Sequence, residues 1–213
     1  VAKGQGQKAS EKRDPLPSAV LTKTRARVLA NAAPELALIW RLVEGTGCRL
    51  AEVTGLMVED VATDGDFPHI RIEPNALRTL KTTSSRRRVP LVGDALEAAQ
   101  EALKLAREGV MLFPTYGRKR GSDAASAALM KHLRQVSADE KHVIHSLRHN
   151  MKDRLILAEV SSLDQDLILG HALGGVGDRV YGGDRAKLRQ TTKAMRKALG
   201  LPAVEADGSE DQP

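Results

Sequence analysis

The 213-residue sequence is poor in two residue classes. Its single cysteine, Cys48, excludes a disulfide framework within the chain and a thiolate-rich zinc site, and fits a reducing compartment. Aromatic residues make up 2% of the chain, two Tyr, two Phe and one Trp, so the core has to be aliphatic and each aromatic is less readily dismissed as filler. No apolar run approaches the roughly 18 residues of a membrane span, and no secretory leader pattern is visible at the amino end. These absences lead us to expect a cytoplasmic protein with no membrane partner. With 41% hydrophobic residues the chain can still build a sizeable core.

The formal net charge is +6, although the last ten residues, VEADGSEDQP, carry four acids. Without those four the body holds about +10, and polyanions are its natural partners. Residues 1–18 are polar, Lys- and Gly-rich and hold two prolines, which predicts a flexible basic arm. Residues 19–200 then form one domain and 201–213 an acidic disordered tail. Helices are predicted through SAVLTKTRARVLANA, PELALIWRLVEGTG and RLAEVTGL, where Pro34 opens the second helix and Gly45 and Gly47 end it. HIRIEP alternates as a strand does, and LRTLKTTSSRRRVPL reads as two more strands around a Thr-Ser turn. Helices return in GDALEAAQEALKLAREG, SDAASAALMKHLRQV, SLRHNMKDRLILAEV, SLDQDLILGH and DRAKLRQTTKAMRKALG. The predicted class is mainly α with a small antiparallel sheet.

Four stretches carry candidate chemistry. The predicted hairpin concentrates Arg78, Lys81, Arg86, Arg87 and Arg88 with no acid among them, which suits either a solvated face or a phosphate-binding ridge. In TGCRLAE, Arg49 opens a short helix at a corner that favours an anion, and it could equally pair with Glu52. In HSLRHN, Ser146 is a plausible cap, with His145 before the helix and Arg148 in its first turn. His142, His145 and His149 also admit a metal reading, against which the neighbouring cations Arg148 and Lys152 weigh. Finally, LILGH releases a helix at Gly170, and His171 leads into a glycine-rich stretch ending at Tyr181. Bulky neighbours would suit a packed tyrosine; glycines suit one that moves.

Taken in order, Arg in TGCRLAE, Lys in a basic hairpin, His-Ser-Leu-Arg, Leu-Gly-His and then Tyr, the set resembles the catalytic domain of the tyrosine recombinases, the phage-integrase family, which is also similar to the type IB topoisomerases. The resemblance covers residues from about 22 to 199. It implies the fold of that catalytic domain and a site-specific DNA strand transferase that works without metal, ATP or any other cofactor. It implies that Arg49 and Arg148 hold the non-bridging oxygens of the scissile phosphate and that Lys81 protonates the leaving 5′ oxygen. His145 and His171 would hydrogen-bond the phosphate and assist proton movement, Tyr181 would become joined to the 3′ phosphate, and Glu52 would orient its neighbours. Asn150 departs from the Thr or Ser of many relatives, and the spacing from His171 to Tyr181 is about one residue longer than in compact ones. The implied partners are double-stranded DNA and further copies of the chain, as a tetramer on paired sites at the nucleoid. Leu188, Thr192, Met195 and Leu199 form an apolar stripe on the last helix that could pack on its own domain or dock onto an adjacent protomer. Alternatives are a non-catalytic DNA-binding module and a metal-dependent nuclease.

Overall fold

A computed structural model describes residues 13–76, 78, 86–106, 110–171 and 183–203. Helix α1 (Ser18–Asn31) leads into α2 (Pro34–Thr46), which begins with Pro34 where a missing N–H costs nothing. The helix stops at Gly47, whose φ of 68° is left-handed and whose missing Cβ leaves room for Met151, 2.7 Å from where that carbon would stand. This close approach sets the start of α3 (Leu50–Thr54) against the later helix that carries Arg148.

A 3₁₀ turn (Val58–Asp60) leads into strands β1 (Val61–Ala62), β2 (His69–Ile72) and β3 (Arg87–Pro90), which pair antiparallel in that order. Ile70 lies opposite both Val61 and Val89, so these three side chains share one face of the sheet. The sheet was predicted from HIRIEP and the basic hairpin; β1, only two residues long, offers no alternation to read. The first strand expected in the hairpin lies mostly outside the described residues.

Helix α4 (Asp94–Ala106) buries an alanine stripe, Ala95, Ala98, Ala99, Ala102 and Ala106, and these small side chains allow it to pack closely on α2. At Gly45 the approach is so tight that a Cβ would stand 2.8 Å from that of Ala95. Helices α5 (Gly121–Arg134), α6 (Ser146–Leu157), α7 (Ser162–Leu169) and α8 (Asp184–Ala198) complete the described chain. The main core is aliphatic as composition requires, but Trp40 and Phe113 are fully buried in it, so these two aromatics do serve packing. The Trp40 indole donates to Glu44 Oε2 at 2.9 Å, which satisfies its buried N–H. No helix among the described residues is long and apolar enough to cross a membrane.

A second apolar cluster joins Met151 and Leu155 of α6, Ile168 and Leu169 of α7, and Ala194 and Met195 of α8. The stripe on α8, for which docking onto an adjacent protomer was one expectation, is covered here by its own chain through β3, α6 and α7. Within the stretch predicted as an amino-terminal arm, Leu16 packs onto the domain. Leu16 is buried, and its backbone exchanges two hydrogen bonds with the Asn150 side chain, at 3.0 and 2.8 Å. Asn150 thereby fastens the entry to α1 onto α6.

Arg78, expected on a DNA-facing ridge, is instead a buried structural residue. Its guanidinium donates to Asp60 Oδ2 at 3.0 Å and to the carbonyls of Glu73, Glu52 and Gly55, and its side chain is 2% exposed. A charge in that position is tolerated because nearly every N–H finds an acceptor. Arg78→Ala is therefore expected to lower folding stability by about 3–5 kcal/mol in urea denaturation, by orphaning Asp60. The exposed neighbour Arg86→Ala should stay within about 0.5 kcal/mol of the parent.

Candidate active site

The site grows from the corner after α2. Cys48 is fully buried and its thiol is pushed up by burial, so it is inert at neutral pH. Arg49 caps α3, and Glu52, one turn on, accepts both its backbone N–H and its Nη1, each at 2.8 Å. The pairing of Arg49 with Glu52, open from sequence, is thus present. It leaves the Arg49 side chain about one-third exposed, at the cavity described below.

The same carboxylate receives a second arginine. Arg87 of β3 donates Nη1 and Nη2 to the two Glu52 oxygens at 3.1 and 2.9 Å, and its Nε to the carbonyl of Ile168 at 2.9 Å. Arg87 was expected to face DNA; it is 5% exposed, and its reason for being cationic is Glu52. Burial alone would raise the Glu52 carboxyl, but the hydrogen bonds and charge of Arg87 and Arg49 outweigh it and hold the group down at about 2. Of the remaining ridge residues, Arg86 is exposed and Arg88 reaches Asp184 at 3.2 Å on the surface.

Arg148 lies in the first turn of α6. The helix begins at Ser146, one residue earlier than a Ser146 cap implies, so His145 takes the cap position and Ser146 Oγ accepts the Val143 N–H at 3.1 Å. Arg148 Nη1 donates to the carbonyl of Gly47 at 2.9 Å, and Nη2 to the carbonyl of Leu169 and to His171 Nε2, the latter at 3.2 Å. Three segments far apart in sequence thus meet on one guanidinium. Burial, then the charges of Arg49 and Arg87, push Arg148 down to about 10, which still leaves it charged at neutral pH.

His171 follows the end of α7. Gly170 adopts φ 68°, and a Cβ there would stand 2.7 Å from Arg87 Nη1, so glycine serves both the helix end and the approach of Arg87. The His171 ring places Nδ1 at 3.1 Å from Asp166 Oδ1.

Arg49, His145, Arg148 and His171 line one cavity of about 190 Å³, together with His149, Lys152 and Leu169. No carboxylate is among the described residues that line it, so these present cations and imidazoles to whatever enters. His145 and His149 meet edge to face with ring centroids 5.2 Å apart. Burial, then His149 and the nearby arginines, push His145 down to about 4. His149, Lys152 and Asp166 were not singled out from sequence as members of this site. The first two sit four residues after His145 and Arg148, the spacing that puts side chains on one helix face. Lys81 and Tyr181 lie outside the described residues.

The three histidines of the metal reading are not brought together. His142 turns its Nδ1 to Ser137 Oγ at 2.7 Å, away from the facing pair of His145 and His149. Among the described residues no group of three His, Cys, Asp or Glu side chains is placed to hold an ion.

Comparison with known proteins gives this geometry its context. The tyrosine recombinase XerC of Neisseria meningitidis serogroup B is 30% identical over 141 residues, covering 63% of this chain and 43% of that protein. XerC of Neisseria gonorrhoeae is 29% identical over a stretch of the same length. The chain thus spans less than half the length of these curated relatives. Among solved structures, the Tn1549 transposon integrase in complex with a circular intermediate DNA superimposes with a TM-score of 0.62 at 17% identity, covering 83% of this chain and 64% of that one. A lambda integrase tetramer bound to a Holliday junction gives 0.59 at 18% identity, covering 84% and 52%. These neighbours share the mainly helical fold with its small antiparallel sheet. The model of the phage integrase family matches residues 20–176, well over half of the sequence, and the chain belongs to that family.

Proposed function

We propose that this chain is the catalytic part of a site-specific tyrosine recombinase, one that cuts a DNA strand with Tyr181, holds the 3′ phosphate as a tyrosyl ester, and rejoins it to a 5′ hydroxyl. The observation that carries the reading is the meeting of Arg49, His145, Arg148 and His171, from three separate stretches of the chain, around a single cavity with no carboxylate among its described lining residues. Attack on a phosphodiester passes through five-coordinate phosphorus bearing extra negative charge. Arg148, buried and held by two carbonyls, and Arg49, held by Glu52, are preorganised to receive the equatorial oxygens.

Proton movement falls to the remaining groups. A phenol is mostly protonated at neutral pH and needs an acceptor when it attacks. His145 is neutral over that range and is suited to take the Tyr181 proton. Lys81 would supply the proton for the departing 5′ oxygen. The cationic cavity does the work that a metal would otherwise do, and the tyrosyl ester conserves the bond energy, so neither metal nor ATP enters. The substrate is double-stranded DNA, bound at the nucleoid with further copies of the chain as a tetramer on paired sites. The cis packing of α8 leaves that assembly to be made through other surfaces or through its release.

A library of nicked duplexes randomised around the nick, incubated in EDTA at low salt, tests the reading. A covalent protein–DNA adduct resistant to denaturation is expected, and its sequencing names the preferred site; metal-dependent cutting with no adduct would overturn the assignment. Tyr181→Phe should keep DNA binding and form no adduct. Arg148→Lys should slow adduct formation on the order of a hundredfold, since an ammonium offers neither the fork geometry nor both carbonyl contacts.

The low value at His145 also has a signature in stability. Its folded value of about 4 lies below the ordinary 6.5, so between these two the unfolded chain binds more protons. Stability should therefore fall as pH drops from 6.5 towards 4, and His145→Gln should flatten that slope in urea titrations. Glu52, held at about 2, acts in the separate window below its ordinary 4.5, where its contribution is lost as pH falls further.

A further inference from the structure

Asp166 is absent from the residue set that the sequence motifs supply, yet it is the only carboxylate among the described residues bonded to a side chain of the cavity's histidines. Its Oδ1 lies 3.1 Å from His171 Nδ1, and its backbone carbonyl accepts the His171 N–H at the same distance. On the other side of the ring, Nε2 lies 3.2 Å from Arg148 Nη2. An arginine can only donate and a carboxylate can only accept. The two contacts therefore define one tautomer, with the proton on Nδ1 and the lone pair of Nε2 turned to Arg148.

We infer that Asp166 is a positioning residue for His171, fixing this tautomer in the empty site and supporting the protonated ring once a phosphate enters. The inference rests on the recombinase reading for its substrate. His171 faces Arg148 and Lys152 from α6, with Arg49, His145 and His149 also lining the space and Asp166 the one opposing carboxylate among the described residues. Burial, then the charge of Arg148, lowers the ring's affinity for a second proton below that of an ordinary imidazole, against the pull of Asp166. A phosphate changes this balance. Arg148 Nη2 turns its N–H to a non-bridging oxygen, which frees the Nε2 lone pair. One proton then leaves the solvent and joins Nε2, and the new N–H donates to the same phosphate; no other bond is made or broken. Asp166 stabilises the resulting imidazolium through Nδ1–H, as an orienting carboxylate does for a catalytic histidine.

Two variants separate charge from orientation. Asp166→Asn retains an oxygen that can accept from Nδ1–H but carries no charge, whereas Asp166→Ala removes both. Long-range nitrogen-15 NMR of the chain is expected to find His171 in the Nδ1–H form in the parent and in Asp166→Asn. In Asp166→Ala the Nε2–H form should appear. The His171 titration midpoint should fall by about one pH unit in both variants, a tenfold change in proton affinity. An Asp166→Ala chain with unchanged tautomer and midpoint would sink the inference, and if that variant does not fold, an unchanged midpoint in Asp166→Asn does the same.

Kinetics provide the second readout. On a duplex that the parent converts to adduct, the alkaline fall in rate should begin about one pH unit lower in Asp166→Asn, with near-parental rates at acid pH. A uniform loss at every pH would mark a purely structural role and overturn the proposal. If the parent itself forms no adduct, the recombinase reading fails, while the NMR result still decides what Asp166 does to His171.

Discussion

The site depends on how one carboxylate is shared. Glu52 is buried, and two arginines from opposite directions satisfy it, Arg49 from the start of its own helix and Arg87 from β3. Arg87 in turn bonds the carbonyl of Ile168, so the same ion pair ties α3 and the sheet to the end of α7. Removing either buried partner would leave the other as an uncompensated charge, which is why such a pair is costly to break even where its net contribution to stability is small. Its consequence for function is geometric. Arg49 keeps a fixed direction into the cavity because one of its oxygen partners is itself immobilised by Arg87.

The arginines of this chain differ in fate according to the acids near them. Arg78 has Asp60 and three carbonyls, Arg87 has Glu52, and both are structural. Arg148 is equally buried, but its hydrogen-bond partners among the described residues are carbonyls and an imidazole, none of which cancels its charge. The carbonyls satisfy its N–H groups while leaving its field intact. A buried cation of this kind is what an incoming anion can use, whereas Arg78 and Arg87, buried against their carboxylates, offer little; Arg49 is also paired with a carboxylate but keeps about one-third of its side chain exposed at the cavity.

This distinction explains which parts of the site were legible in the sequence. Arg49, Arg148, His145 and His171 belong to short local motifs whose order is informative, and the cavity does bring them together. The basic run RRR was not legible in the same way, because a charge run looks alike whether it is solvated or folded onto an acid 35 residues away. Asp166 escaped for a different reason. It meets His171 across the turn at Gly170, five residues apart, a spacing outside the helical periods of three and four on which face-sharing arguments rest. The scarcity of aromatics drew attention correctly to their individual roles, yet Trp40 and Phe113 are core, since scarcity constrains number and not location. The elements themselves were legible nearly to the residue where apolar periodicity was sustained, as in α2 and α8, and illegible in the two-residue β1.

The cavity and the fold are also coupled through what lies beneath them. Gly47 and Gly170 are both left-handed, each at the end of a helix, and the carbonyls beside them, of Gly47 and Leu169, are the ones that hold Arg148. At either position a side chain would be strained by φ and would collide, with Met151 in the first case and Arg87 in the second. The two turns therefore set the distance between α2, α6 and α7 that lets one guanidinium reach both carbonyls. Repulsion among Arg49, Arg148 and Lys152 in the empty site opposes that closeness, and the second apolar cluster, sealed by Met195 of α8 in cis, holds α6 and α7 together against it. An anion entering the cavity would relieve that repulsion while the packing stays as it is.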